Sequence, residues 1–506
     1  MRCVRCLGIG LLAWGWTTGA WAETAAMLGE HQQVLVNLIG GLPDRWTSCA
    51  DSCTGGSGPR AAILDQGAGG SRLRWDVPGD PAATRALESL EYAAEVGDTG
   101  SDPVLTLTSR GSFQGTRLVH HYALSAAGYT LSASLQVQAG ARLVLESGES
   151  FVPRPLPGLA SMYGDVHVVR VTAAGQTILR GNEAPAVGVA VAGGQWVGVR
   201  NRFWALLVRP ATDVTVDIHM VAPDQPRLDV RGGRSAGRLD AQFYAGPVER
   251  ARLLAVDPVL GGMLFAALWN WLRQLSFGLL DLLESWYRVV RSYGVAILFL
   301  SLSVKILMWP LTLVAERWQR EVERIQSVLK PELDAVRREF RGEEAHRRVL
   351  QAYRQHGVSP FFPVRSLLGF LIQIPIFIAA FDMLGENFGL NGSSFLWIGD
   401  LALPDRTVAL PTTLPFFGGH LNLLPFLMTF LTVLAARVQE YPSISPELLA
   451  GQRRRLYAMA VVFFVAFYTF PAGMVLYWTA NNLWHLVRVL AGRLLHPEGE
   501  LNRSPG

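Results

Sequence analysis

Lys305 is the residue of this sequence whose position most strongly suggests function, because it lies inside an apolar run. The run, from Tyr293 to Leu313, reads YGVAILFLSLSVKILMWPLTL and has the length of a membrane span, which requires about 20 mostly apolar residues. A lysine within the hydrocarbon costs about 2.5–3.5 kcal/mol on insertion scales, so it usually faces a polar cavity or marks a functional site. The alternative is that Lys305 extends its ammonium to the headgroups near Leu313, about 12 Å of helix away.

Other polar side chains recur inside later apolar runs. Within the lipid, such groups face other helices or water. One interpretation is that they form hydrogen bonds between helices. The other is that they converge on a hydrophilic cavity open toward the cytoplasm, and the spacing leaves both interpretations open. The candidate groove residues are Lys305, Ser301 one turn before it, Gln373, and two parallel rows of the last run, Tyr477 with Asn481 and Trp478 with Asn482.

The composition is that of a protein that lies partly in a membrane. Half of the 506 residues are hydrophobic and 17% are charged. The formal net charge of +4 is too small to indicate a nucleic-acid partner. Lys305 and Lys330 are the only lysines, so a lysine inside an apolar run is unusual even for this chain. The length predicts two or three domains.

The first 22 residues have the pattern of a secretory signal. Arg2 and Arg5 precede an apolar run, and Ala20-Trp21-Ala22 forms an A-x-A cleavage site. An uncleaved anchor is the alternative, and either one exports the domain that follows. In that oxidising compartment Cys49 and Cys53 are predicted to form a short-loop disulfide. Their spacing matches no standard metal-binding pattern, and no histidine lies near them.

Residues 23–257 are predicted to form an exported β-sandwich of more than ten strands. Short runs such as Tyr129–Val137 and Val214–His219 alternate with period two and are separated by Gly, Pro, Asp and Asn. No catalytic arrangement is evident, because the histidines are isolated and no nucleophile-elbow spacing occurs. The domain could bind a sugar or a peptide, or it could serve as a scaffold, which we consider the simpler interpretation.

The distribution of charge predicts the topology of the second half. Residues 314–360 carry ten Lys or Arg, whereas the loop 386–420 carries only Arg406. The positive-inside rule therefore places the first segment, a charged helical hairpin with a turn at Gly342, in the cytoplasm. One crossing must precede it, so region 258–291, with Trp269 and Trp271, is predicted to lie at the interface as an amphipathic helix. A membrane core of five spans over 292–492 and a short cytoplasmic tail, 493–506, complete this topology.

Four blocks of sequence resemble the YidC/Oxa/Alb family of membrane protein insertases, in particular its Gram-negative YidC branch with a periplasmic domain. In order along the chain, they are SVKILMWPL from Ser303, LIQIPIF from Leu371, FLWIGDL from Phe395 and FPAGMVLYWTANN from Phe470. The resemblance covers roughly 200 residues. Two positions depart from the family pattern: Lys305 stands where the family usually has Arg, and Ser359-Pro360 replaces its usual Asn-Pro.

The resemblance implies a periplasmic β-supersandwich followed by an α-helical membrane core with a groove open to cytoplasm and lipid. Such a protein receives nascent membrane proteins in the groove and releases their helices into the inner membrane, alone or with the Sec translocon. The family's partners are nascent membrane proteins, the lipid bilayer, Sec subunits and the ribosome. It is not an enzyme and needs no cofactor or metal, and the groove residue corresponding to Lys305 attracts polar or acidic substrate segments.

Two other functions are compatible with parts of the sequence. A small-solute transporter or channel could use the same polar groove, but transporters often show inverted repeats with broken helices. Five predicted spans without internal repetition argue against that function. A binding domain merely anchored by the spans would not need Lys305, Gln373 and Asn481 within the lipid.

Overall fold

A computed structural model describes most of the chain, and it divides into two compact units. The described residues are 24–65, 70–137, 140–149, 151–153, 155–179, 186–222, 224–232, 237–356, 368–438 and 446–495. The predicted signal segment, Ser359-Pro360 and residues 496–506 of the tail lie outside them. The β unit comprises the described residues of Met1–Leu156, Ala160–Ala267 and Glu386–Gly392, and the helical unit those of Pro157–Leu159, Leu268–Gly385 and Ser393–Gly506.

The β unit is built from three antiparallel sheets. Its strands are β1 Thr24–Leu28, β2 Gln32–Asn37, β3 Pro43–Cys49, β4 Arg60–Asp65, β5 Arg72–Asp76, β6 Tyr92–Thr99, β7 Asp102–Ser109, β8 Val119–Leu124, β9 Thr130–Gln136, β10 Arg142–Glu146, β11 His167–Thr172, β12 Gly175–Leu179, β13 Ala186–Val191, β14 Trp196–Arg200, β15 Trp204–Pro210, β16 Val214–Ala222, β17 Gln225–Arg231 and β18 Arg238–Pro247. The sheet orders are β1-β2-β3-β4, β13-β16-β17-β10-β5 and β12-β11-β14-β15-β18-β9-β8-β7-β6. Two short helices, α1 Pro81–Glu88 and α2 Arg250–Val256, accompany them. The prediction of a β-rich first half is confirmed.

The alternation in the sequence explains how these sheets bury a shared core. In β9, Leu131, Ala133 and Leu135 point inward while the residues between them are more exposed. This is the period-two pattern of a strand with one buried face. Trp46 and Phe243 pack against each other in the same core, with ring centroids 6.3 Å apart.

A segment from the second half of the sequence, Glu386–Gly392, belongs to the β unit. Phe388 is 6% exposed within the β-unit core, and its ring lies edge-on to that of Trp204, with centroids 5.2 Å apart. Arg200 is buried beside it, donating to the carbonyl of Met263 (2.7 Å) and pairing with Glu386 (3.6 Å). Within the region 292–492, which the sequence predicts to be the membrane core, the segment Glu386–Gly392 is thus counted with the β unit, because Phe388 buries its ring among residues of that unit.

The helical unit contains seven helices and a small hairpin among its described residues. The helices are α3 Asn270–Val290, α4 Tyr293–Glu339, α5 Gly342–Gln355, α6 Leu368–Glu386 (whose last residue is counted with the β unit), α7 Leu424–Val438, α8 Pro446–Phe467 and α9 Ala472–Leu495; the hairpin is β19 Val408–Leu414 with β20 Gly418–Leu421. Helix α4 packs against α3 and α9, and α7 packs against α8 and α9. The prediction of a helical second half is confirmed.

The apolar run around Lys305 and the first arm of the charged hairpin form one continuous helix, α4. Its segment Tyr293–Ala315 is the one described helix long and apolar enough to cross a membrane, by length and composition alone, and Leu424–Val438 is a shorter apolar helix. The chain turns between α4 and α5 where the sequence predicts it, with Gly342 at a φ of +65° that glycine adopts without strain.

Helix α3 has the amphipathic character expected for region 258–291. Leu272, Leu279 and Leu283 are buried, whereas the side chains of Trp269, at the start of the helix, and Trp271 are largely exposed. The Ser276 hydroxyl donates to the carbonyl of Ala379 in α6 at 3.1 Å, so the buried face of α3 contacts both α4 and α6.

Candidate functional site

Lys305 and Ser301 lie on one face of α4, four residues apart. Ser301 is fully buried, and its hydroxyl has no hydrogen-bond partner among the described atoms. Lys305 is half-buried, whereas Ile306 and Leu307 beside it are exposed and apolar. A different face of the helix carries Ser303, which accepts a 3.0 Å hydrogen bond from the Trp286 indole of α3. The Lys305 face is therefore directed away from the apolar surface of α4 and toward neighbouring helices.

Helix α9 packs against α4 and carries the row that begins at Tyr477. Tyr477 is buried, and the Asn481 side chain donates to its carbonyl oxygen at 3.1 Å. One turn further along, the Trp484 indole donates to the carbonyl of Leu298 in α4 at 3.3 Å. This bond fixes the position of α9 along α4, one turn before the candidate groove residue Ser301.

Asn482, on the parallel row of α9, is engaged by α7. Its side-chain amide donates to the Thr432 hydroxyl at 2.8 Å and lies 3.4 Å from the carbonyl of Met428. The Thr432 hydroxyl itself donates to Met428 at 2.9 Å, as a threonine one turn later in a helix commonly does. The side chain of Asn482 therefore forms a hydrogen bond between helices, as the first of the two interpretations predicts. A role of Asn482 in a groove stays a prediction.

Trp478 belongs to an aromatic cluster that joins three helices. Its ring centroid lies 5.0 Å from Phe377 of α6 and 5.0 and 5.5 Å from Phe463 and Phe467 of α8. Offset and edge-on aromatic pairs of this kind contribute about 0.5–1.5 kcal/mol each beyond the area that they bury. The cluster therefore sets the positions of α6, α8 and α9 relative to one another.

Gln373 lies on α6 one turn before Phe377. Its side chain is exposed, and within the described residues no hydrogen bond joins it to another group. The structure thus brings α4, with Lys305 and Ser301, together with α9, while Gln373 lies exposed on α6. The residues described here do not show Gln373 in contact with Lys305.

Arg488 is a candidate that the sequence analysis missed. It follows Trp484 by four residues and therefore lies on the side of α9 that faces α4. A signal was present in the sequence, since Arg488 follows Tyr477 by eleven residues, just over three full turns, and so extends the row of Tyr477 and Asn481, which His485 continues at the same spacing. The face of α9 that is directed at α4 therefore carries a cation, Arg488, in addition to the predicted Tyr477 and Asn481.

The remaining predicted site lies in the β unit, where Cys49 and Cys53 form a disulfide. Both cysteines are buried, and the Tyr129 hydroxyl donates to the carbonyl of Cys49 at 2.8 Å. Within the described residues, no group of three His, Cys, Asp or Glu side chains is arranged to hold a metal ion.

Comparison with known proteins places this helical arrangement in a family. A family model described as "60Kd inner membrane protein" matches residues 285–493, which span α4 to α9. The membrane protein insertase YidC of Syntrophobacter fumaroxidans is 32% identical over 257 residues, which are 50% of this chain and 43% of that protein. Residues 285–493 match this family model, and the relatives of the chain are named membrane protein insertase YidC. The resemblance to that family is confirmed.

A second relative extends the match, and a solved structure covers more of the chain. The YidC insertase of Chlamydia trachomatis is 26% identical over 297 residues, 54% of this chain and 37% of that protein. The chain thus aligns with less than half of the length of both relatives. A crystal structure titled as an active YidC insertase with its first transmembrane domain resolved covers 93% of each chain, at 15% identity and a TM-score of 0.37. Family members are described as inner membrane proteins.

Proposed function

We propose that the chain is a membrane protein insertase and chaperone that receives nascent membrane proteins in a hydrophilic groove. The observation that carries the proposal is the half-buried Lys305 in a helix apolar enough to span a membrane, with buried Ser301 on the same face. A charged side chain within such a helix is energetically costly unless it faces a polar cavity. The name shared by the relatives of the YidC family supports the same function.

The proposed topology places the β unit in the periplasm and five spans in the inner membrane. The spans are α4 up to Ala315, α6, α7, α8 and α9, and α3 lies on the outer surface of the membrane. The charge asymmetry between 314–360 and 386–420 supports this orientation. The exposed tryptophans at the start of α3 support its position at the interface, where tryptophan is enriched. The C-terminus is then cytoplasmic.

In this function Lys305 acts by attraction. A carboxylate at about 4 Å from an ammonium gains roughly 4 kcal/mol at an effective dielectric constant of 20, against about 1 kcal/mol in water. A polar or acidic tail of a substrate is therefore drawn into the groove, where its transfer is less costly than through lipid. The apolar helix of the substrate then enters the lipid beside the aromatic cluster of α6, α8 and α9.

No bond is made or broken in these steps, so the proposed function involves no enzymatic reaction and no cofactor. The exposed helix α5 and the cytoplasmic part of α4 are proposed to recruit substrate. The Sec translocon and the ribosome are proposed as partners, and nucleic acid is not.

The test is photo-crosslinking of the chain to a nascent single-span protein with an acidic tail. A photoreactive residue at position 301 or 373 leaves Lys305 intact, and position 307, exposed on another face of α4, is the matched control. We expect adducts from 301 and 373 and few from 307.

Lys305→Arg should retain insertion in cells depleted of the protein, whereas Lys305→Ala should lose it for acidic tails. If neither position yields an adduct and insertion is normal in depleted cells, the proposal is wrong. A solute flux through reconstituted vesicles would favour the transporter.

A further inference from the structure

We propose that the β19–β20 hairpin is a membrane anchor that lies in the outer interface of the bilayer, with the Phe416 ring inserted among the lipid chains. The hairpin consists of β19, β20 and the turn 415–417 between them. The inference rests on the proposed topology, in which α7 and α8 cross the membrane. It adds a second element that contacts lipid from the outer side, in addition to α3.

The hairpin exposes apolar side chains along most of its length. Every residue of β19 except Leu410 is exposed, including Val408 at 52% and Leu414 at 46%, and Phe416 in the turn is 41% exposed. A two-stranded hairpin is at best marginally stable in water, and contiguous exposed apolar side chains mark surfaces that contact a protein or a membrane. The hairpin is therefore expected to have a partner.

The backbone of the turn supports the same conclusion. Leu414 pairs with Gly418, so the turn contains three residues, and Phe416 in its middle has a φ of +68°. Glycine is the usual residue in this left-handed conformation, because a Cβ makes it less favourable. The exposed Phe416 ring recovers only part of this cost by packing within the chain. Insertion of the ring into lipid would offset the remainder, because it removes apolar surface from water.

Contacts within the helical unit hold the hairpin at the ends of α7 and α8. The Phe417 ring lies edge-on to that of Tyr468, the residue that follows α8, with centroids 5.1 Å apart. The Tyr468 hydroxyl donates to the carbonyl of His420 at 3.3 Å, and the Asn422 amide donates to the carbonyl of Tyr468 at 2.7 Å. Helix α7 begins at Leu424, shortly after β20. In the proposed topology these two helix ends are the outer ones, so the hairpin lies at the outer boundary of the bilayer.

The distribution of charge favours lipid as the partner. From residue 407 to residue 436 the sequence contains no Asp, Glu, Lys or Arg, so the hairpin and nearly all of α7 form one uncharged stretch. The exposed apolar surface continues onto α7, where Phe426 is 44% and Phe430 61% exposed. Protein interfaces usually have a polar rim, whereas a surface in contact with acyl chains excludes charge. The hairpin thus continues the apolar surface of a proposed span.

The length of α7 gives a physical reason for such an anchor. Its fifteen residues make a helix of about 22 Å, whereas the hydrocarbon core is about 30 Å thick. Either the bilayer thins around α7, or another apolar element covers the remaining distance of about 8 Å. Elements that lie in the interface are buried about 5–10 Å deep, which matches this distance. An apolar hairpin at the outer end of α7 therefore completes the span.

The experiment measures the depth of the hairpin in the full chain, reconstituted in phosphatidylcholine nanodiscs. A fluorescent amino acid is placed at position 416, and its quenching by lipid brominated near the headgroup end of the chains is compared with its quenching by aqueous iodide. Position 430, on the exposed surface of α7, is the control for lipid. Position 343 on α5 is the control for water, because the Glu343 side chain is 88% exposed.

We expect the brominated lipid to quench positions 416 and 430 but not position 343. The iodide quenching constant at 416 should be less than about one fifth of that at 343, because an ion does not reach a ring among the acyl chains. Quenching at 430 by lipid, combined with iodide quenching at 416 as strong as at 343, would overturn the proposal. The hairpin would then lie in water or require a protein partner. Absence of lipid quenching at 430 would contradict the proposed topology itself, which distinguishes the two failures.

Substitutions of Phe416 provide a second test that does not depend on a label. Phe416→Gly relieves the left-handed backbone, so a hairpin in water should gain protection from hydrogen exchange in peptides covering 408–421. A hairpin held by lipid should instead lose protection in Phe416→Gly and keep it in Phe416→Trp, because tryptophan is favoured at the interface. Equal or greater protection in Phe416→Gly than in the unmodified chain would overturn the proposal.

Discussion

Replacing Phe388 with alanine is expected to lower the free energy of unfolding of the β unit by about 3 kcal/mol. Phe388 is 6% exposed, and its ring packs edge-on against Trp204 and Phe203, at centroid distances of 5.2 and 6.2 Å. A buried phenylalanine removes roughly 150–250 Å² from water, and Phe→Ala changes in cores cost about 3–5 kcal/mol. The lower end applies because the short segment Glu386–Gly392 can collapse partly into the cavity.

The assay is hydrogen exchange of the full chain in a lipid nanodisc, followed by mass spectrometry. Peptides covering β14 and β15 should lose protection in Phe388→Ala, because Trp204 of β15 contacts the Phe388 ring and Arg200 of β14 pairs with Glu386 in the same segment. Phe416→Ala is the matched control, since Phe416 is 41% exposed in the β19–β20 turn and belongs to the helical unit. If β14 and β15 exchange at the same rate in both variants as in the unmodified chain, Phe388 is not part of the β-unit core and the reasoning is refuted.

Two further predictions concern the stability of the β unit. Burial lowers the pKa of His120 from 6.5 to about 4, so between these pH values the unfolded chain binds a proton that the folded chain does not. The free energy of unfolding should therefore fall by about 3 kcal/mol as the pH drops from 6.5 to 4. His120→Gln should flatten that part of a urea-unfolding pH profile, whereas the exposed neighbour His121→Gln should not; equal profiles would contradict the assignment. Replacing Cys49 and Cys53 by serine should cost about 2 kcal/mol, as expected for a loop of this length, and reductant should destabilise the unmodified chain alone. A reductant effect of equal size on the serine variant would show that the disulfide is not its cause.

The sequence was sufficient to predict the parts of the fold that depend on local pattern. The alternation that buries Leu131 and Leu135 is a property of one strand, and the apolar run around Lys305 is a property of one helix. The turn at Gly342 follows from the conformational freedom of a single residue. Each of these features is decided within about twenty residues, so periodicity and composition reveal it.

The segment Glu386–Gly392 could not be assigned from the sequence, because its position depends on contacts distant in the chain. Phe388 lies between a helix and a hairpin of the helical unit in sequence, and nothing local distinguishes it from a loop residue. Its burial depends on Trp204, and the position of Glu386 depends on Arg200. An ion pair and an aromatic contact between residues more than a third of the chain apart leave no periodic signal.

Asn482 and Arg488 illustrate the same limit within the candidate site. The spacing of α9 placed Asn482 in the row of Trp478, but spacing does not say which neighbouring helix a row faces. The 2.8 Å bond to Thr432 shows that this row faces α7 at Asn482, while the Trp484 bond to Leu298 directs the other row toward α4. Arg488 follows Trp484 by four residues and therefore lies on the row that faces α4. The polar residues of α9 therefore divide into one row that faces α7 and one row that faces α4, and a variant of Asn482 should perturb the packing of α9 against α7.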